Sequence, residues 1–308
     1  MKIIRGLHSV SNNSPACVAT IGNFDGLHLG HQKIITKLKT KAQELNLPLT
    51  IISFEPLPTE YFMQEPPTRI YPMRDKVRLL HKMGVDNFLC LKFDNALANM
   101  SPHDFVQNIL LDALNVKYLT IGDDFRFGHK RAGNFDLLKK MGSEAEMDVV
   151  DTATYEQNGQ RISSTLIRTS LSNGDISAAN KLLGYKYQLS GRVRQGEKRG
   201  RTIGFPTINM KVLDHIAAKH GVYAVLVHGL SDTAVKGVAN LGNRPTVEGA
   251  ENRLETHLFD FNADVYSKYV CVELVKFIRP EKRFESFDSL RSQILIDAKE
   301  AKKTLSNI

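Results

Sequence analysis

The sequence has few cysteines and no long apolar run. Its three cysteines, Cys17, Cys90 and Cys271, lie far apart and form no C-x-x-C pair, which favours structural thiols in a reducing compartment. Residues 1–10 lack the apolar core of a signal peptide, and no segment approaches the ~20 apolar residues that span a bilayer. These absences predict a cytoplasmic protein with no membrane partner.

Two common nucleotide-binding patterns are also absent. The chain contains neither G-x-G-x-x-G nor the P-loop pattern G-x-x-x-x-G-K-[ST], which argues against a dinucleotide-binding fold and a Walker-type kinase. The net charge of +8 predicts a polyanionic partner, and nucleotides, nucleic acids and anionic membranes all meet that description. The basic residues are dispersed apart from one cluster within residues 192–201, so a local phosphate site fits better than a long groove.

The length of 308 residues exceeds the usual size of one core and predicts two domains. Apolar strand-like segments alternate with amphipathic helices over residues 16–155, a pattern typical of a parallel sheet covered by helices. Two short helical stretches follow and end at Gly184, a residue type that favours a helix C-cap. We therefore expect an α/β parallel-sheet domain at residues 1–184.

Beyond Tyr185 the pattern changes to short strands separated by turn residues, which predicts a small antiparallel β-barrel domain at residues 185–308. A final helix is predicted over residues 287–305. Its apolar residues Leu290, Ile294 and Ile296 suggest that it packs against the barrel.

The turn after the first predicted strand concentrates three glycines and two histidines within residues 22–31. Parallel sheets bind ligands beyond the carboxyl ends of their strands, where a helix N-terminus favours phosphate. There Gly30 would allow close approach of the backbone, and His28 and His31 could donate hydrogen bonds to oxygens that gain charge. For a lone histidine a surface or capping role would be the better interpretation, but two with the spacing H-x-G-H favour function. Zinc is disfavoured because no third ligand is near.

The H-x-G-H pattern resembles that of the nucleotidyltransferase superfamily, and more narrowly the adenylyltransferase module of bacterial bifunctional riboflavin kinase/FAD synthetases. Residues 54–58, 122–128 and 162–168 resemble that family's F-x-P-x-P, G-D-D-F-R-F-G and I-S-S-T-x-x-R segments in the same order. The resemblance implies that the FMN phosphate attacks the α-phosphate of ATP and that pyrophosphate leaves. Mg²⁺ and the histidine pair would stabilise the developing charge. The implied catalytic residues are His28 and His31; the implied ATP-binding residues are Gly22, Phe24, Asp25, Gly30, Ser163, Ser164, Thr165 and Arg168.

Several of these residues also have simpler interpretations. Ser163, Ser164 and Thr165 could be ordinary N-cap residues, although Arg168 one turn later favours phosphate binding. Asp124 and Phe125 could form a turn or contact the flavin. Two positions depart from the family pattern: Leu57 stands where many relatives have His, and Asn134 stands where an acid is common.

The second candidate site is a Gly- and base-rich loop before residues 202–209, and such a loop can wrap a phosphate chain. Thr207 and Asn209 are two positions apart on an extended segment, so both could offer oxygens to Mg²⁺, although Pro-Thr-x-Asn alone is more often a turn. With residues 221–223, 237–246 and 255–260 the series resembles the riboflavin kinase module. That resemblance implies Thr207 and Asn209 as ligands of Mg²⁺-ATP and Glu255 as general base. The phosphate-binding positions it implies are Gly191, Gly196, Lys198, Arg201 and Gly204.

A cross-strand salt bridge is the simpler interpretation of Glu255 and His257; catalysis is favoured for Glu255 and structure for His257. Ile208 replaces the more usual Ala, and residues 265–267 depart from L-Y-G, without removing a coordinating or titrating group.

The resemblance implies riboflavin, FMN, FAD, ATP, ADP and pyrophosphate as partners, Mg²⁺ with ATP, no tightly bound prosthetic group and a monomer or weak homo-oligomer. An aminoacyl-tRNA synthetase is disfavoured because K-M-S-K-S is absent. An OB-like nucleic-acid-binding protein is disfavoured because exposed stacking aromatics are lacking.

Overall fold

The fold is described by a computed structural model. It describes residues 1–10, 15–122, 124–152, 156–157, 160–195, 205–246 and 249–308. The chain forms two compact units, one of Met1–Pro67 with Lys76–Ile162 and one of Thr68–Asp75 with Ser163–Ile308.

The first unit contains a six-stranded sheet in the order β1-β4-β3-β2-β5-β6, and every strand pair is parallel. All five residues of β2 are buried, as expected for a strand covered on both faces. The chain passes from β2 to β3 on one side, while β5 and β6 lie on the other, so the strand order reverses beside β2. Such a reversal creates a crevice at the carboxyl ends of the strands. The strands are β1 Lys2–Arg5, β2 Cys17–Ile21, β3 Leu49–Glu55, β4 Asn87–Lys92, β5 Val116–Gly122 and β6 Asp148–Thr152.

Helices connect these strands, as the alternating pattern predicts. Helix α1 buries Ile35, Leu38 and Ala42, which share one face at helical spacing. Ser101 caps α5 through a hydrogen bond from the Asp104 amide at 3.0 Å, with Pro102 in the first turn, as the sequence Ser-Pro-x-Asp favours. The helices are α1 Leu29–Leu45, α2 Pro58–Phe62, α3 Met73–Lys82, α4 Asn95–Ala98, α5 Pro102–Asp104 with a π-helical continuation Phe105–Ala113, and α6 Phe135–Glu144. Short strands β7 Glu156–Gln157 and β8 Gln160–Arg161 pair with each other.

The second unit begins with α7 Ser164–Asn173 and α8 Ile176–Leu183 and continues as six antiparallel strands. Helix α8 ends at Gly184, which is left-handed with φ 77°, so the predicted C-cap is confirmed. The strand order is β10-β13-β12-β11-β14-β9. An amide hydrogen bond from Arg194 to the Asn209 carbonyl at 2.8 Å nearly closes the sheet into a barrel. The strands are β9 Gln188–Arg192, β10 Thr207–Lys211, β11 Gly221–His228, β12 Val235–Thr246, β13 Gly249–Leu258 and β14 Tyr269–Arg279.

The C-terminal helix α9, Phe287–Leu305, packs against this barrel. The predicted helix is present, but Ile296 is exposed, and Ala298, Ala301 and Leu305 are the buried residues of the contact. Arg279 of β14 fixes the helix by donating from two guanidinium nitrogens to Asp297 at 2.9 and 2.7 Å. A bidentate, largely buried pair of this kind fixes the orientation of the helix.

The second unit also contains a segment from the N-terminal half of the sequence, Thr68–Asp75. The Arg69 amide donates to the His215 carbonyl at 2.8 Å, and the Tyr187 hydroxyl donates to the Ile70 carbonyl at 2.8 Å. Asp75 accepts a hydrogen bond from the buried Ser190 hydroxyl of β9. The barrel unit is therefore assembled from two stretches of chain that are distant in sequence.

Candidate active sites

The first candidate site is formed by residues 22–28, here called the 22–28 loop, which joins β2 to α1 at the crevice. Phe24, Gly26 and Leu27 have φ angles of 46°, 86° and 42°, a left-handed conformation that is costly for side-chain-bearing residues. Phe24, Asp25 and Leu27 are nevertheless buried. The conformation therefore depends on close packing, which fixes the loop in one shape.

His28 and His31 meet at the start of α1. The Nδ1 atom of His28 accepts a hydrogen bond from the His31 amide at 3.4 Å, so His28 is the N-cap of the helix. The two imidazole rings stack with centroids 3.7 Å apart, and the Phe24 ring lies 5.0 Å from that of His31. Gly30 is buried within the same turn. The structure thus brings together the two histidines that the sequence singled out, and gives one of them a capping role as well.

Both imidazoles are held in the neutral form. Burial lowers the pKa of His28 from 6.5 to about 4. Burial, followed by the charges of His28 and Lys76, holds the pKa of His31 well below its usual range. Because Nδ1 of His28 accepts a hydrogen bond, the proton of the neutral ring is assigned to Nε2, which can donate. The Nδ1 atom of His31 is buried and has no hydrogen-bond partner among the residues that the structure describes.

The segment after β5 carries the candidate flavin contacts. Asp124 is exposed and forms an ion pair with Arg161 at 3.2 Å. The half-buried Phe125 ring stacks on Phe127 with centroids 5.7 Å apart. This segment follows a strand adjacent to β2, so it lies at the same sheet edge as the 22–28 loop.

The two departures from the family pattern occupy structural positions. Leu57 is buried and precedes α2, and its amide donates to the Glu60 carboxylate at 2.8 Å. Asn134 caps α6 by accepting a hydrogen bond from the Leu137 amide at 3.0 Å. An apolar residue at 57 therefore suits the core, and an amide at 134 suits a helix cap.

The candidate phosphate-binding residues after position 162 belong to the second unit. The Ser163 hydroxyl caps α7 by accepting a hydrogen bond from the Leu166 amide at 3.4 Å. Arg168 donates from Nε to the Thr68 carbonyl at 2.6 Å. The capping interpretation of Ser163 is thus correct. Ser164 and Thr165 follow in the first turn of α7.

The second candidate site lies where β10, β13 and β12 run side by side. Asn209 of β10 and Asn240 of β12 are both directly opposite Glu255 of β13, and Thr207 is opposite His257. Directly opposed residues project to the same face of a sheet, so Thr207, Asn209 and Glu255 share one face. Asn209 is buried and Glu255 is half-buried. The strands thus place a hydroxyl oxygen, an amide oxygen and a carboxylate on the same face of the sheet.

His257 and Gly191 have identifiable packing roles at this site. The Nδ1 atom of His257 lies 2.9 Å from the Pro206 carbonyl, and its ring contacts the edges of Phe205 and Phe259. At Gly191 a Cβ atom would lie 2.7 Å from the Met210 side chain, so a larger residue would require Met210 to shift. The candidates Gly196, Lys198, Arg201 and Gly204 lie outside the described residues.

Charged residues surround the edge of this site. Glu251 forms ion pairs with Lys211 and Arg253 at 3.1 Å and with Arg194 at 3.8 Å. Arg192 donates to the Ser267 carbonyl at 2.9 Å. In the described portions of the chain, no group of three or more His, Cys, Asp or Glu residues could hold a metal ion. A hydroxyl and an amide supply neutral oxygen ligands of the kind that hard divalent cations accept.

Comparison with known proteins also places two different functional modules in the N-terminal and C-terminal parts of the chain. A family model described as FAD synthetase matches residues 10–166, and one described as riboflavin kinase matches residues 183–305. A bifunctional riboflavin kinase/FMN adenylyltransferase from Haemophilus influenzae is 46% identical over 303 residues, 98% of each chain. One from Escherichia coli strain K12 is 44% identical over 299 residues, 96% of each chain. The chain belongs to the bifunctional riboflavin kinase/FMN adenylyltransferase family.

As a member of this family, the enzyme uses ATP to phosphorylate riboflavin to FMN in its C-terminal part and to adenylylate FMN to FAD in its N-terminal part. A crystal structure described as a macrolide-efflux protein from Streptococcus pneumoniae is also similar, with a TM-score of 0.80, 29% identity and coverage of 98% of this chain and 99% of that one. None of the helices in the described part combines the length and hydropathy needed to cross a membrane.

The neutral His28 predicts a pH-dependent stability. Its pKa is about 4 in the folded protein and 6.5 as the ordinary value, so protonation between these values favours the unfolded state. We expect the free energy of unfolding to fall as pH falls from 6.5 towards 4, by on the order of 3 kcal/mol from this group. The His28→Asn variant keeps a capping side chain and should lose less stability over that range. Chemical denaturation of both proteins at several pH values measures this. Identical pH dependence would contradict the proposed neutral state of His28.

Proposed function

We propose that adenylyl transfer takes place at the 22–28 loop and the first turn of α1, and the stacked neutral histidines carry this assignment. An FMN phosphate oxygen forms a bond to the α-phosphorus of ATP, and the bond to the β-phosphate oxygen breaks to release pyrophosphate. His28 and His31 donate hydrogen bonds to the oxygens on which charge develops. Since both imidazoles are neutral, they act as donors without exchanging a proton with the substrate.

The ATP and flavin contacts of this half-reaction belong to the same proposal. Gly22, Phe24, Asp25 and Gly30 line the start of α1, where amide N–H groups favour phosphate. Asp124 and Phe125 are assigned to FMN because they follow the strand beside β2. The family resemblance assigns ATP-phosphate contacts to Ser163, Ser164, Thr165 and Arg168.

We propose Glu255 as the general base of riboflavin phosphorylation. It accepts the proton of the terminal ribityl hydroxyl as that oxygen bonds to the γ-phosphorus of ATP, and ADP leaves. Its register opposite both Asn209 and Asn240 supports this role, because directly opposed residues project to the same face, so Glu255 lies on the face that carries Asn209. Gly191, Gly196, Lys198, Arg201 and Gly204 are assigned to the ATP phosphates by the family resemblance.

Thr207 and Asn209 would hold Mg²⁺ in the kinase site. The ion would neutralise charge on the ATP phosphates. The arrangement of one hydroxyl and one amide on the same face of β10 supports this, because both supply neutral oxygen ligands beside a phosphate loop.

A metal titration tests this assignment. Thr207→Val removes the oxygen with little change of shape, so we expect the Mg²⁺ concentration for half-maximal riboflavin kinase activity to rise about tenfold or more. Ile208→Val, at the intervening position of β10, serves as the matched control and should leave it unchanged. The metal requirement for conversion of FMN to FAD should not change in either variant. An unchanged Mg²⁺ requirement of the kinase in Thr207→Val would refute the ligand assignment.

A boundary between residues 184 and 185 is proposed because α8 ends at Gly184 and the barrel strands follow. The partners are the flavins, ATP, ADP and pyrophosphate, with no nucleic acid or membrane, for a monomer or weak homo-oligomer. A cytoplasmic location is proposed from the wide spacing of the three cysteines in the sequence.

A further inference from the structure

Lys76 is a buried lysine beside the 22–28 loop. It lies in α3 with a relative exposure of 2%, and lysine is almost never fully buried without partners. Its Nζ atom donates a hydrogen bond to the Asn23 carbonyl at 2.7 Å. Removing an ammonium group from water has a large free-energy cost, so this placement requires an explanation beyond packing.

The contact fixes the loop at its first turn. The same Asn23 carbonyl lies 3.4 Å from the Ser53 hydroxyl, whose residue is fully buried in β3. Asn23 directly precedes the left-handed residues of the loop, which require packing to keep their conformation. A charged donor forms a stronger hydrogen bond than a hydroxyl. Lys76 is therefore the stronger of two anchors on this carbonyl.

Lys76 also places a positive charge near the histidine pair. Its Nζ atom contacts the loop that ends at His28, and after burial and His28 its charge also lowers the pKa of His31. With both histidines neutral, their rings supply hydrogen bonds but no net charge to a phosphoryl group. A fixed cation in a site with little water stabilises developing negative charge far more than it would in solution.

We propose that Lys76 is a positioning residue for adenylyl transfer, which holds the 22–28 loop through Asn23 and provides a fixed positive potential beside His28 and His31. This inference rests on the proposed assignment of adenylyl transfer to that loop. It concerns a residue about fifty positions from the histidines in sequence, in a helix whose other lysine, Lys82, is exposed.

Three substitutions separate the charge from the hydrogen bond. Lys76→Met removes both, Lys76→Gln keeps a donor without charge, and Lys76→Arg keeps the charge. For conversion of FMN to FAD we expect kcat to fall about 10²-fold in the Met and Gln variants, with a smaller change of KM for ATP. The Arg variant should retain a clearly higher kcat than Gln. Lys82→Met removes an exposed charge from the same helix and should retain wild-type kcat.

Riboflavin kinase activity of each variant, in the same full-length protein, should stay within about twofold of wild type, and thermal unfolding of each variant reports whether the first unit is folded. If Lys76→Met fails to fold, the comparison of Gln with Arg decides. A kcat within about twofold of wild type for Lys76→Gln, or equal losses for Gln and Arg, would overturn the inference. A normal rate in His28→Asn would instead refute the underlying site assignment, so the two failures can be told apart.

Discussion

Replacing Glu255 by glutamine is expected to lower the rate of FMN formation from riboflavin by about 10²- to 10⁴-fold, the usual contribution of a general base. Glutamine keeps the size and hydrogen-bonding capacity of the side chain but cannot accept the hydroxyl proton. The cross-strand positions of Asn209 and Asn240 should survive the change, so substrate binding should be little affected. The loss should therefore appear in kcat more than in KM, measured by chromatographic separation of the flavins.

The N-terminal reaction provides the control in the same molecule. Glu255→Gln should convert supplied FMN to FAD at the wild-type rate, because the proposed site of that reaction is the 22–28 loop, which does not include Glu255. If riboflavin phosphorylation retained more than about a tenth of its rate, the proposed general-base role would be wrong. Glu255 would then be a structural residue of β13.

Replacing His28 by asparagine is expected to lower the rate of FAD formation from FMN by about 10²- to 10³-fold, the usual effect of removing a donor to a charged transition state. Asparagine is a good N-cap residue, so α1 should keep its start. Steady-state kinetics with FMN and ATP measure the change.

Exposed His103 in the same unit supplies the matched control, and His103→Asn should react normally. Riboflavin kinase activity should be preserved in both variants. Normal FAD synthesis by His28→Asn would show that its N-cap role explains the residue fully.

Much of the fold was predictable because its buried elements have clear periodicity. The buried strand β2 and the helix α1 that follows it have distinct apolar patterns, and the predicted switch from alternating strands and helices to short strands is present. The alternating pattern does not by itself locate helix α6, because its buried residues Leu138, Met141 and Gly142 form only a short apolar pattern. The sequence indicates a strand only over the mainly apolar stretch 235–239, but β12 runs to Thr246, because polar residues such as Asn240 share a face with Glu255 and interrupt the apolar pattern.

Other features depend on contacts that sequence spacing cannot reveal. The segment Thr68–Asp75 joins the barrel unit through hydrogen bonds to residues more than a hundred positions away, such as Tyr187 and Ser190. In α9 the apolar residue Ile296 is exposed, because packing selects the helix face that carries Ala298 and Ala301.

In the candidate sites, too, some residues could be predicted from sequence patterns, whereas others depend on tertiary contacts. H-x-G-H identified two residues that the structure stacks together, since positions three apart in a first helical turn are neighbours. Lys76 was not identified because a lysine in an amphipathic helix usually faces solvent. Only tertiary packing brings it to Asn23. Its sequence signal was its adjacency to Asp75 at the start of α3, which does not by itself distinguish a buried lysine from an exposed one.

We expect two separate sites to act in sequence, with FMN as the shared intermediate. The most direct test mixes Glu255→Gln with His28→Asn and supplies riboflavin, ATP and Mg²⁺. We expect little or no FAD from either variant alone, and FAD from the mixture after a lag in which FMN accumulates, because one variant makes FMN and the other adenylylates it. A mixture that accumulates FMN without forming FAD, or that forms no FMN, would contradict the assignment of the two reactions to these two sites.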